Sequence, residues 1–311
     1  TFTVKLTAQP ISDVVISVNS GNTSEVSVLG GGTLTFTTLN WNASQTVTVK
    51  GIDDHHVDGD QTTIVTLSVV DDLSDATFGS VADRTVSVTT MDDDAAGFVI
   101  VQSGGSTRVT EAGSTDTFTV KLTAQPTSNV VLLVSSGDSS EATVSTLSGN
   151  GRLTFTPENW NATQTVTVTG VDDSLLDGNQ TSLVTISVVD DLSDAVFRSV
   201  DNQTVSVTTT ENDSAGFVIS QTADLTIVTE GGSTDTFTVV LTAQPTSNVV
   251  FLITNGNTHE ATVSTTAGDG TLTFTPLDWN APQTVTVKGV DDRLVDGTQT
   301  TTVTVSVVDA Q

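Results

Sequence analysis

The sequence predicts an all-β protein of antiparallel β-sandwiches, and three observations indicate it. One segment occurs three times, as LNWNASQTVTVKGIDD at 39–54, ENWNATQTVTVTGVDD at 158–173 and DWNAPQTVTVKGVDD at 278–292. Apolar residues alternate with threonine in short stretches such as TFTVKL at 117–122, which is typical of half-buried strands. Turn-forming clusters separate these stretches. No stretch of the sequence has the 3.6-residue period of a helix.

The spacing of the repeated segment predicts the domain organisation. Its tryptophans, Trp41, Trp160 and Trp279, are 119 residues apart. Such a unit is too long for a solenoid repeat and has the usual size of an independent domain. With seven or eight short strands in each unit, we expect tandem immunoglobulin-like sandwiches in an elongated array. The predicted units are repeat 1 at 1–96, repeat 2 at 97–215 and repeat 3 at 216–311.

Each strand of the complete copy is predicted from a period of two. In repeat 2 the apolar side chains of one face are those of Phe118, Val120, Leu122, Val166, Val168, Val184, Ile186 and Val188. The chain has no cysteine, so no disulfide joins the two sheets and the core must hold by packing. We expect Trp160 and its counterparts to close one end of that core.

The first and third copies are shorter than the second. Repeat 1 lacks the N-terminal strand region that corresponds to 97–116, and repeat 3 lacks the C-terminal region that corresponds to 193–215. Because a missing edge exposes unpaired backbone, the simplest interpretation is a segment of a longer tandem array. We expect strands at 1–6 and 303–308 whose partners lie outside this chain.

Composition excludes several classes of function. The formal net charge is -28, from 37 acidic against 9 basic residues, so the chain repels nucleic acid and anionic membrane and attracts cations. No apolar run is long enough to insert into a membrane. No phosphate loop, catalytic triad or zinc-protease motif is present, and 5% aromatic residues would not line a sugar-cleaving cleft. We therefore expect no enzymatic activity.

Three motifs in repeat 2 resemble a known family. VTEAGSTDTFTVKL, GRLTFTPENWNATQTVTVTGVDDSLLDGNQ and TTENDSAGF follow one another in the order and spacing of the Calx-β family. That domain occurs in the regulatory loop of sodium–calcium exchangers and in many large bacterial surface proteins. The resemblance extends over the whole chain and implies a calcium-binding sandwich of Calx-β type, with acidic ligands at one end.

The resemblance implies a set of calcium (Ca2+) ligands in each copy. In repeat 1 they are Glu25, Asp54, Asp58, Asp92, Asp93 and Asp94. In repeat 2 they are Glu111, Glu141, Asp173, Asp177, Glu211 and Asp213, and in repeat 3 they are Glu230, Glu260, Asp292 and Asp296.

Physical reasoning favours the same end of the sandwich. Calcium takes six to eight oxygen ligands, which no single short loop here supplies, but turns at one pole of a sandwich bring distant residues together. The three aspartates at 92–94 are then one rim of a cation site. The alternative is that these acidic loops are simply solvated. We expect solvation for DDLSDA at 71–76 and 190–195, and exposed loop positions for His55, His56 and His259.

Glycosylation is a further possibility. Asn-x-Ser/Thr triplets begin at Asn22, Asn42, Asn161, Asn179, Asn202 and Asn212, although a threonine-rich sequence produces such triplets by chance.

The sequence therefore predicts a noncatalytic structural segment, such as a stalk, adhesin shaft or extracellular fibre, which calcium stiffens at the repeat junctions. The alternative is an adhesion module whose loops, glycosylated or not, bind a carbohydrate or a protein on another cell surface. The expected partners are neighbouring repeats and further copies in a fibre. The expected location is extracellular or at the cell surface.

Overall fold

A computed structural model describes residues 1–292 and 294–308 of the chain. Within this part every repeat is built from β-strands, and the helical elements are single 3₁₀ turns of three residues. The strands form antiparallel sheets arranged as several sandwiches, which confirms the predicted all-β fold class. No helix in the described ranges has the length and apolar character that crossing a bilayer requires.

Repeat 1 contains seven strands in two sheets. One sheet has the order β1-β5-β3 and the other has the order β4-β2-β6-β7. The strand bounds are β1 (Phe2–Val4), β2 (Val14–Ser20), β3 (Val26–Leu29), β4 (Thr33–Phe36), β5 (Gln45–Gly51), β6 (Gln61–Val69) and β7 (Arg84–Thr90).

Repeat 2 contains nine strands, one or two more than the sequence predicts. Its sheets have the orders β12-β14-β10-β8 and β13-β11-β15-β16-β9. All its strand pairs are antiparallel except β16 and β9, which lie parallel. The bounds are β8 (Phe98–Gln102), β9 (Thr107–Thr110), β10 (Thr115–Leu122), β11 (Val130–Ser136), β12 (Ala142–Thr146), β13 (Arg152–Phe155), β14 (Gln164–Gly170), β15 (Gln180–Val188) and β16 (Gln203–Thr210).

Repeat 3 has seven described strands, with sheet orders β17-β18-β22-β20 and β21-β19-β23. Its last strand and the first strand of repeat 1 occupy the two stretches in which end strands were expected. Each pairs with one strand of its own repeat, β1 with β5 and β23 with β19, and whether a further partner lies outside this chain stays a prediction. The bounds are β17 (Phe217–Gln221), β18 (Thr234–Leu241), β19 (Val249–Asn255), β20 (Ala261–Thr265), β21 (Thr271–Phe274), β22 (Gln283–Gly289) and β23 (Val303–Val307).

The core of each repeat comes from the alternating apolar residues. In repeat 2, Phe118 faces Val166 across the β10–β14 pair, and both side chains are buried. Phe155 and Ile186 are buried in the same cluster, against which Trp160 packs partly buried. Each Å² of apolar surface that is removed from water stabilises the fold by about 25 cal/mol, so these clusters are the main stabilising contribution. Repeats 1 and 3 each have a cluster of their own, with Trp41 and Trp279 in the corresponding place.

The DDLSDA segments are not wholly solvated, which corrects the expectation for them. Asp75 and Asp194, the last aspartate of each segment, are buried. Asp194 accepts hydrogen bonds from the backbone N–H groups of Thr127 at 2.7 Å and Ser128 at 2.9 Å. Since these donors belong to the turn after β10, the aspartate ties two loops together. The first two aspartates of each segment remain exposed.

Candidate functional site

Carboxylates converge at one pole of each sandwich. In each of three groups, the members offer oxygen atoms that lie within 4.8 Å of one another. Cysteine is absent from the chain and no histidine belongs to these groups, so their members offer carboxylate oxygen alone. The groups are Asp53, Asp93 and Asp94 in repeat 1, Glu111, Glu211 and Asp213 in repeat 2, and Glu260, Asp292 and Asp296 in repeat 3.

The parallel strand pair explains how repeat 2 brings together residues that are far apart in sequence. Glu111 directly follows β9, and Glu211 directly follows β16. Because parallel strands end at the same edge of a sheet, the two glutamates leave that edge side by side. The backbone N–H of Glu111 donates to the carbonyl oxygen of Thr210 at 3.1 Å, which extends the ladder to the site.

A second loop contributes Asp173 and Asp177, which lie between β14 and β15. Glu141 immediately precedes β12, and its carbonyl accepts the backbone N–H of Val171 at 2.9 Å. The negative charges of Asp173 and Asp177 act on Glu141 strongly enough to raise its pKa, after the larger effect of its burial. All six candidates of repeat 2 therefore lie at one pole.

Buried carboxylate oxygens without hydrogen-bond partners distinguish this pole from an ordinary acidic surface. Glu111 is 1% exposed and Glu141 is 8% exposed. Among the described residues, Oε1 of Glu111, Oε2 of Glu141 and Oδ2 of Asp213 have no hydrogen-bond partner. A buried polar atom without a partner costs free energy, about 1–3 kcal/mol and more when charged. Because a buried carboxylate oxygen is costly without a partner, these three oxygens are the ones at this pole with most to gain from a positively charged ligand.

Burial raises the pKa of Glu111 to about 7, and the neighbouring charges of Glu211 and Asp173 act in the same direction. The backbone N–H of Asn212 opposes the shift by donating to Oε2 of Glu111 at 3.0 Å. Glu211 behaves in the opposite way. Backbone N–H groups of Asp213 and Gly178 hold its pKa below the ordinary range. The two carboxylates titrate together, and the higher pKa belongs to the buried one.

The raised pKa of Glu141 beside two loop aspartates has a counterpart in each of the other two repeats. Burial raises the pKa of Glu25, with Asp58 and Asp54 adding to the shift. Burial also raises the pKa of Glu260, with Asp296 and Asp292 adding to it. Each repeat therefore places one glutamate beneath the same two loop aspartates.

In repeat 1 all six predicted ligands line one cavity of about 350 Å³. Asp92 organises its rim, because its carboxylate accepts the backbone N–H groups of Gly59 at 2.7 Å and Asp94 at 2.9 Å. These donors hold the pKa of Asp92 below its ordinary value. Gly59 has a φ of 74°, a conformation that favours glycine, so this turn requires the residue it has. The acidic residues of its lining are Glu25, Asp54, Asp58, Asp92, Asp93 and Asp94 together with Asp53.

Repeat 3 brings together Glu260, Asp292 and Asp296, but it leaves Glu230 exposed. Glu230 is near enough for its charge to raise the pKa of Glu260, although it is the third and smallest of the charges that do so. Its counterpart Glu111 is buried beneath the residues that follow β16, and this chain has no described counterpart of those residues in repeat 3.

Sequence reasoning missed Asp53 and Asp172, the first aspartates of the DD pairs. Asp53 belongs to the repeat 1 group, and Asp172 accepts the side-chain amide of Asn212 at 2.9 Å. The repetition of DD in all three copies was a signal that both positions have a role.

The six triplet asparagines are all exposed, but two of them belong to the acidic pole. Oδ1 of Asn179 accepts the backbone N–H of Glu211 at 3.1 Å, and Asn212 contacts Asp172 as described above. Asn179 does what Asp60 does in repeat 1, where Oδ1 of Asp60 accepts the backbone N–H of Asp92 at 3.1 Å. Glycosylation at any of these positions stays a prediction.

The expectation of exposed loop histidines is correct for His55 and His259, but His56 is half-buried. Its Nδ1 lies 3.3 Å from the carbonyl oxygen of Gln125 in the next repeat. The ring of His55 lies 5.4 Å from that of Trp160, also in the next repeat. Arg293, which occupies this loop in repeat 3, lies outside the described residues.

No protein-family model matches the chain, and no curated protein matches it. Solved structures with a similar arrangement include the S-layer protein SbsC domains 4 and 5, at 17% identity over 63% of this chain and 70% of that chain, with a TM-score of 0.28. Domains 4-9 of the same surface layer protein match at 17% identity with a TM-score of 0.31. That match covers 94% of this chain and 38% of the SbsC chain.

CBD12 from CALX1.2 matches at 13% identity over 61% of this chain and 73% of that chain, with a TM-score of 0.27. The calcium binding domain CBD12 of CALX1.1 matches at 14% identity, with a TM-score of 0.26. At these identities and scores the likenesses carry no argument about function. The argument about this chain therefore rests on its own residues.

Proposed function

We propose that this chain is a noncatalytic structural segment of tandem β-sandwich repeats, whose poles bind calcium and are stiffened by it. The observation that carries the proposal is the set of buried, unpartnered carboxylate oxygens of Glu111, Glu141 and Asp213. A divalent cation with a preference for oxygen ligands would contact Glu111 and Asp213 together, because their carboxylates belong to one group with that of Glu211.

The donor set fits calcium better than other biological cations. Zinc prefers nitrogen and sulfur ligands, which are absent from the three groups, and magnesium retains most of its water. Calcium accepts six to eight oxygens in flexible geometry, and repeat 2 offers six carboxylates from four segments at its pole. The proposed location, outside the cell or on its surface, agrees with this choice because calcium sites of moderate affinity fill there.

Stiffening follows from the position of the ligands. Asp92, Asp93 and Asp94 lie just before β8, in the segment that joins repeat 1 to repeat 2. Without a cation, carboxylates a few ångströms apart repel one another by about 1 kcal/mol per pair in water. With calcium bound the same carboxylates become shared ligands, and the linker is held to the pole.

The experiment compares the chain in millimolar calcium with the chain in excess EGTA. Binding to the folded state at a hundredfold excess over Kd stabilises that state by about 2.7 kcal/mol. We expect calcium to raise the melting temperature and to lengthen the maximum dimension in small-angle X-ray scattering. The triple change Asp92→Asn, Asp93→Asn and Asp94→Asn should reproduce the effect of EGTA at the first joint.

A matched control changes three exposed aspartates of the same repeat that lie away from the pole. Asp71→Asn, Asp72→Asn and Asp83→Asn remove the same charge and should leave the response to calcium intact. If melting and scattering are identical with calcium and with EGTA, the acidic poles are solvated surfaces and the proposal is wrong.

A further inference from the structure

The chain contains two Asn-Gly pairs, Asn150-Gly151 in repeat 2 and Asn255-Gly256 in repeat 3. This dipeptide is chemically fragile, because glycine has no side chain to shield its backbone nitrogen from the asparagine side chain before it. That nitrogen can attack the side-chain carbonyl carbon, Cγ, and displace ammonia. The surroundings of each pair decide whether it reacts in the folded chain.

The Asn150-Gly151 pair lies in the turn between β12 and β13, which are edge strands of the two sheets of repeat 2. Asn150 is exposed. Gly151 has a φ of 70°, and its backbone N–H has no hydrogen-bond partner among the described residues. Within the same described ranges Nδ2 of Asn150 donates no hydrogen bond, since the bonds of this side chain are those of Oδ1. The attacking nitrogen and the leaving amine are therefore both accessible.

The side-chain carbonyl oxygen of Asn150 faces two donors. The backbone N–H of Arg152 donates to Oδ1 at 3.0 Å. Oγ of Ser148 lies 2.6 Å from the same atom, and its single proton is shared with the Arg152 carbonyl oxygen at 2.8 Å. Attack on Cγ leaves a negative charge on Oδ1, so these donors surround the atom on which the charge develops. Exposure and electrostatics thus both favour reaction in this turn.

The corresponding turn of repeat 3 shows that this place accepts a carboxylate. Asp269-Gly270 stands there where repeat 2 has Asn150-Gly151. Oδ1 of Asp269 accepts the backbone N–H of Thr271 at 2.9 Å, which is the bond that Arg152 makes in repeat 2. Hydrogen bonds from the backbone and side chain of Thr271 hold the pKa of Asp269 below its ordinary value. The turn is therefore compatible with an aspartate at position 150.

The Asn255-Gly256 pair is closed to the same reaction. Asn255 is the last residue of β19, and the backbone N–H of Gly256 donates to the Thr302 carbonyl at 2.9 Å. Nδ2 of Asn255 donates to the carbonyl oxygens of Asn257, at 2.9 Å, and of Ala261. Since the attacking nitrogen and the leaving amine are both held, these hydrogen bonds must open before the pair can react.

We infer that Asn150 is a site of spontaneous modification, at which water converts a neutral amide into a carboxylate while Asn255 stays intact. The proton of the Gly151 backbone N–H passes to hydroxide, and the nitrogen forms a bond to Cγ of Asn150. The bond from Cγ to Nδ2 then breaks, and ammonia leaves with a proton from water, which restores the hydroxide. Water opens the cyclic succinimide at either carbonyl and gives aspartate or, with the backbone running through Cγ, isoaspartate. Each event adds a negative charge at the edge of repeat 2.

The experiment incubates the whole chain at pH 8 in EGTA and follows both asparagines by mass spectrometry of peptides, in which each conversion adds about 1 Da. A second sample in concentrated urea reports the same two pairs without the fold. Asn150→Asp is the matched control, because it keeps the turn as Asp269 does and has no asparagine to convert there.

In the folded chain we expect Asn150 to be converted about tenfold faster than Asn255, or more, because the hydrogen bonds around Asn255 must open first. In urea the two rates should agree within about threefold, since both pairs are then exposed. The Asn150→Asp variant should gain no mass in the peptide of this turn.

A folded chain that keeps Asn150 intact, or that converts Asn255 as fast as Asn150, would overturn the inference. So would a ratio of rates that is the same in urea as in the folded chain, because the fold would then not select the site. The reaction involves no calcium, so neither outcome alters the test of calcium binding.

Discussion

Replacing Glu111 by glutamine separates the role of its proton from the role of its charge. The side chain is 1% exposed and Oε1 has no hydrogen-bond partner among the described residues. Its pKa is raised from 4.5 to about 7. The folded chain therefore keeps a proton that the unfolded chain has released between these two pH values. The stability from this group is complete below pH 4.5 and is lost as the pH rises through about 7.

The magnitude follows from the size of the shift. One pKa unit corresponds to about 1.4 kcal/mol, so the rise sets an upper bound of about 3 kcal/mol. Solvent at the open pole screens part of this, which leaves about 1–2 kcal/mol. In EGTA at pH 8 we expect Glu111→Gln to be more stable than the unchanged chain by that amount. Below pH 4.5 the two should be equally stable.

Calcium should reverse the order. A hundredfold excess over Kd stabilises the unchanged chain by about 2.7 kcal/mol, and the variant, which lacks a charged ligand, gains less. The assay is urea denaturation followed by the fluorescence of Trp160, with Trp41 and Trp279 changed to phenylalanine. Glu158→Gln, at an exposed glutamate away from the pole, is the control. A variant less stable than the unchanged chain in EGTA at pH 8, or equal gains from calcium, would refute the reasoning.

Three further predictions concern packing, acid and the contact between repeats 1 and 2. Gly170→Ala should destabilise repeat 2 by about 1–3 kcal/mol in urea denaturation, because its Cβ would lie 2.1 Å from the carbonyl oxygen of Thr110. Gly51→Ala, where the nearest atom is a side-chain methyl at 3.3 Å, should change stability by less than about 1 kcal/mol, and equal costs would contradict the close approach. Backbone and side-chain hydrogen bonds from Thr77 lower the pKa of Asp75 to about 2, so Asp75→Asn should lower the melting temperature at pH 7. That difference should shrink as the pH falls from 3.8 towards 2, and a difference that persists at pH 2 would show another cause. Val57 of repeat 1 packs, partly buried, against the core cluster of repeat 2. Val57→Asp should broaden the distribution of distances between repeats 1 and 2 in small-angle scattering without lowering the melting temperature of repeat 1, and an unchanged distribution would argue against that contact.

The strands were predictable because their signal is local. Alternation of valine, phenylalanine or leucine with threonine is visible within six residues, and it places Phe118 and Val166 in the core as expected. The number of strands was predicted less accurately, as seven or eight in repeat 2 where the structure has nine, because β8 and β9 belong to different sheets. The chain crosses between them through Gly104 and Gly105, which have positive φ values of 61° and 81°.

The convergence of these carboxylates at one pole was predictable and their electrostatics were not, while calcium binding by them stays a prediction. The resemblance to Calx-β domains indicated Glu111 and Glu211, but the burial of Glu111 depends on a parallel pairing of strands about a hundred positions apart in the chain. Nothing within either segment specifies that pairing. The buried Asp194 was mistaken for a solvated residue because its donors lie in a distant turn.

The contacts between consecutive repeats left little trace in the sequence. Their hydrogen bonds use the backbone of residues that differ between copies, since the carbonyls of His55 and Ser174 each accept a backbone N–H from the next repeat. A comparison of copies at these positions therefore indicates variation and hides the common contact. The apolar residue that follows, Val57 or Leu176, was the one local sign that the loop is not only solvated.

The parallel pairing of β9 and β16 determines how repeat 2 bears tension along the chain. Once β8 has separated from β10, a pulling force from the N-terminal side reaches β9 at Thr107, and a force from the C-terminal side reaches β16 at Thr210. Because these strands run in the same direction, the two forces slide one strand lengthwise along the other. The register from Thr107 to Thr110 is then loaded all at once, whereas an antiparallel hairpin pulled at its open end would release its bonds one at a time. Repeat 2 is therefore built to shear rather than to unzip.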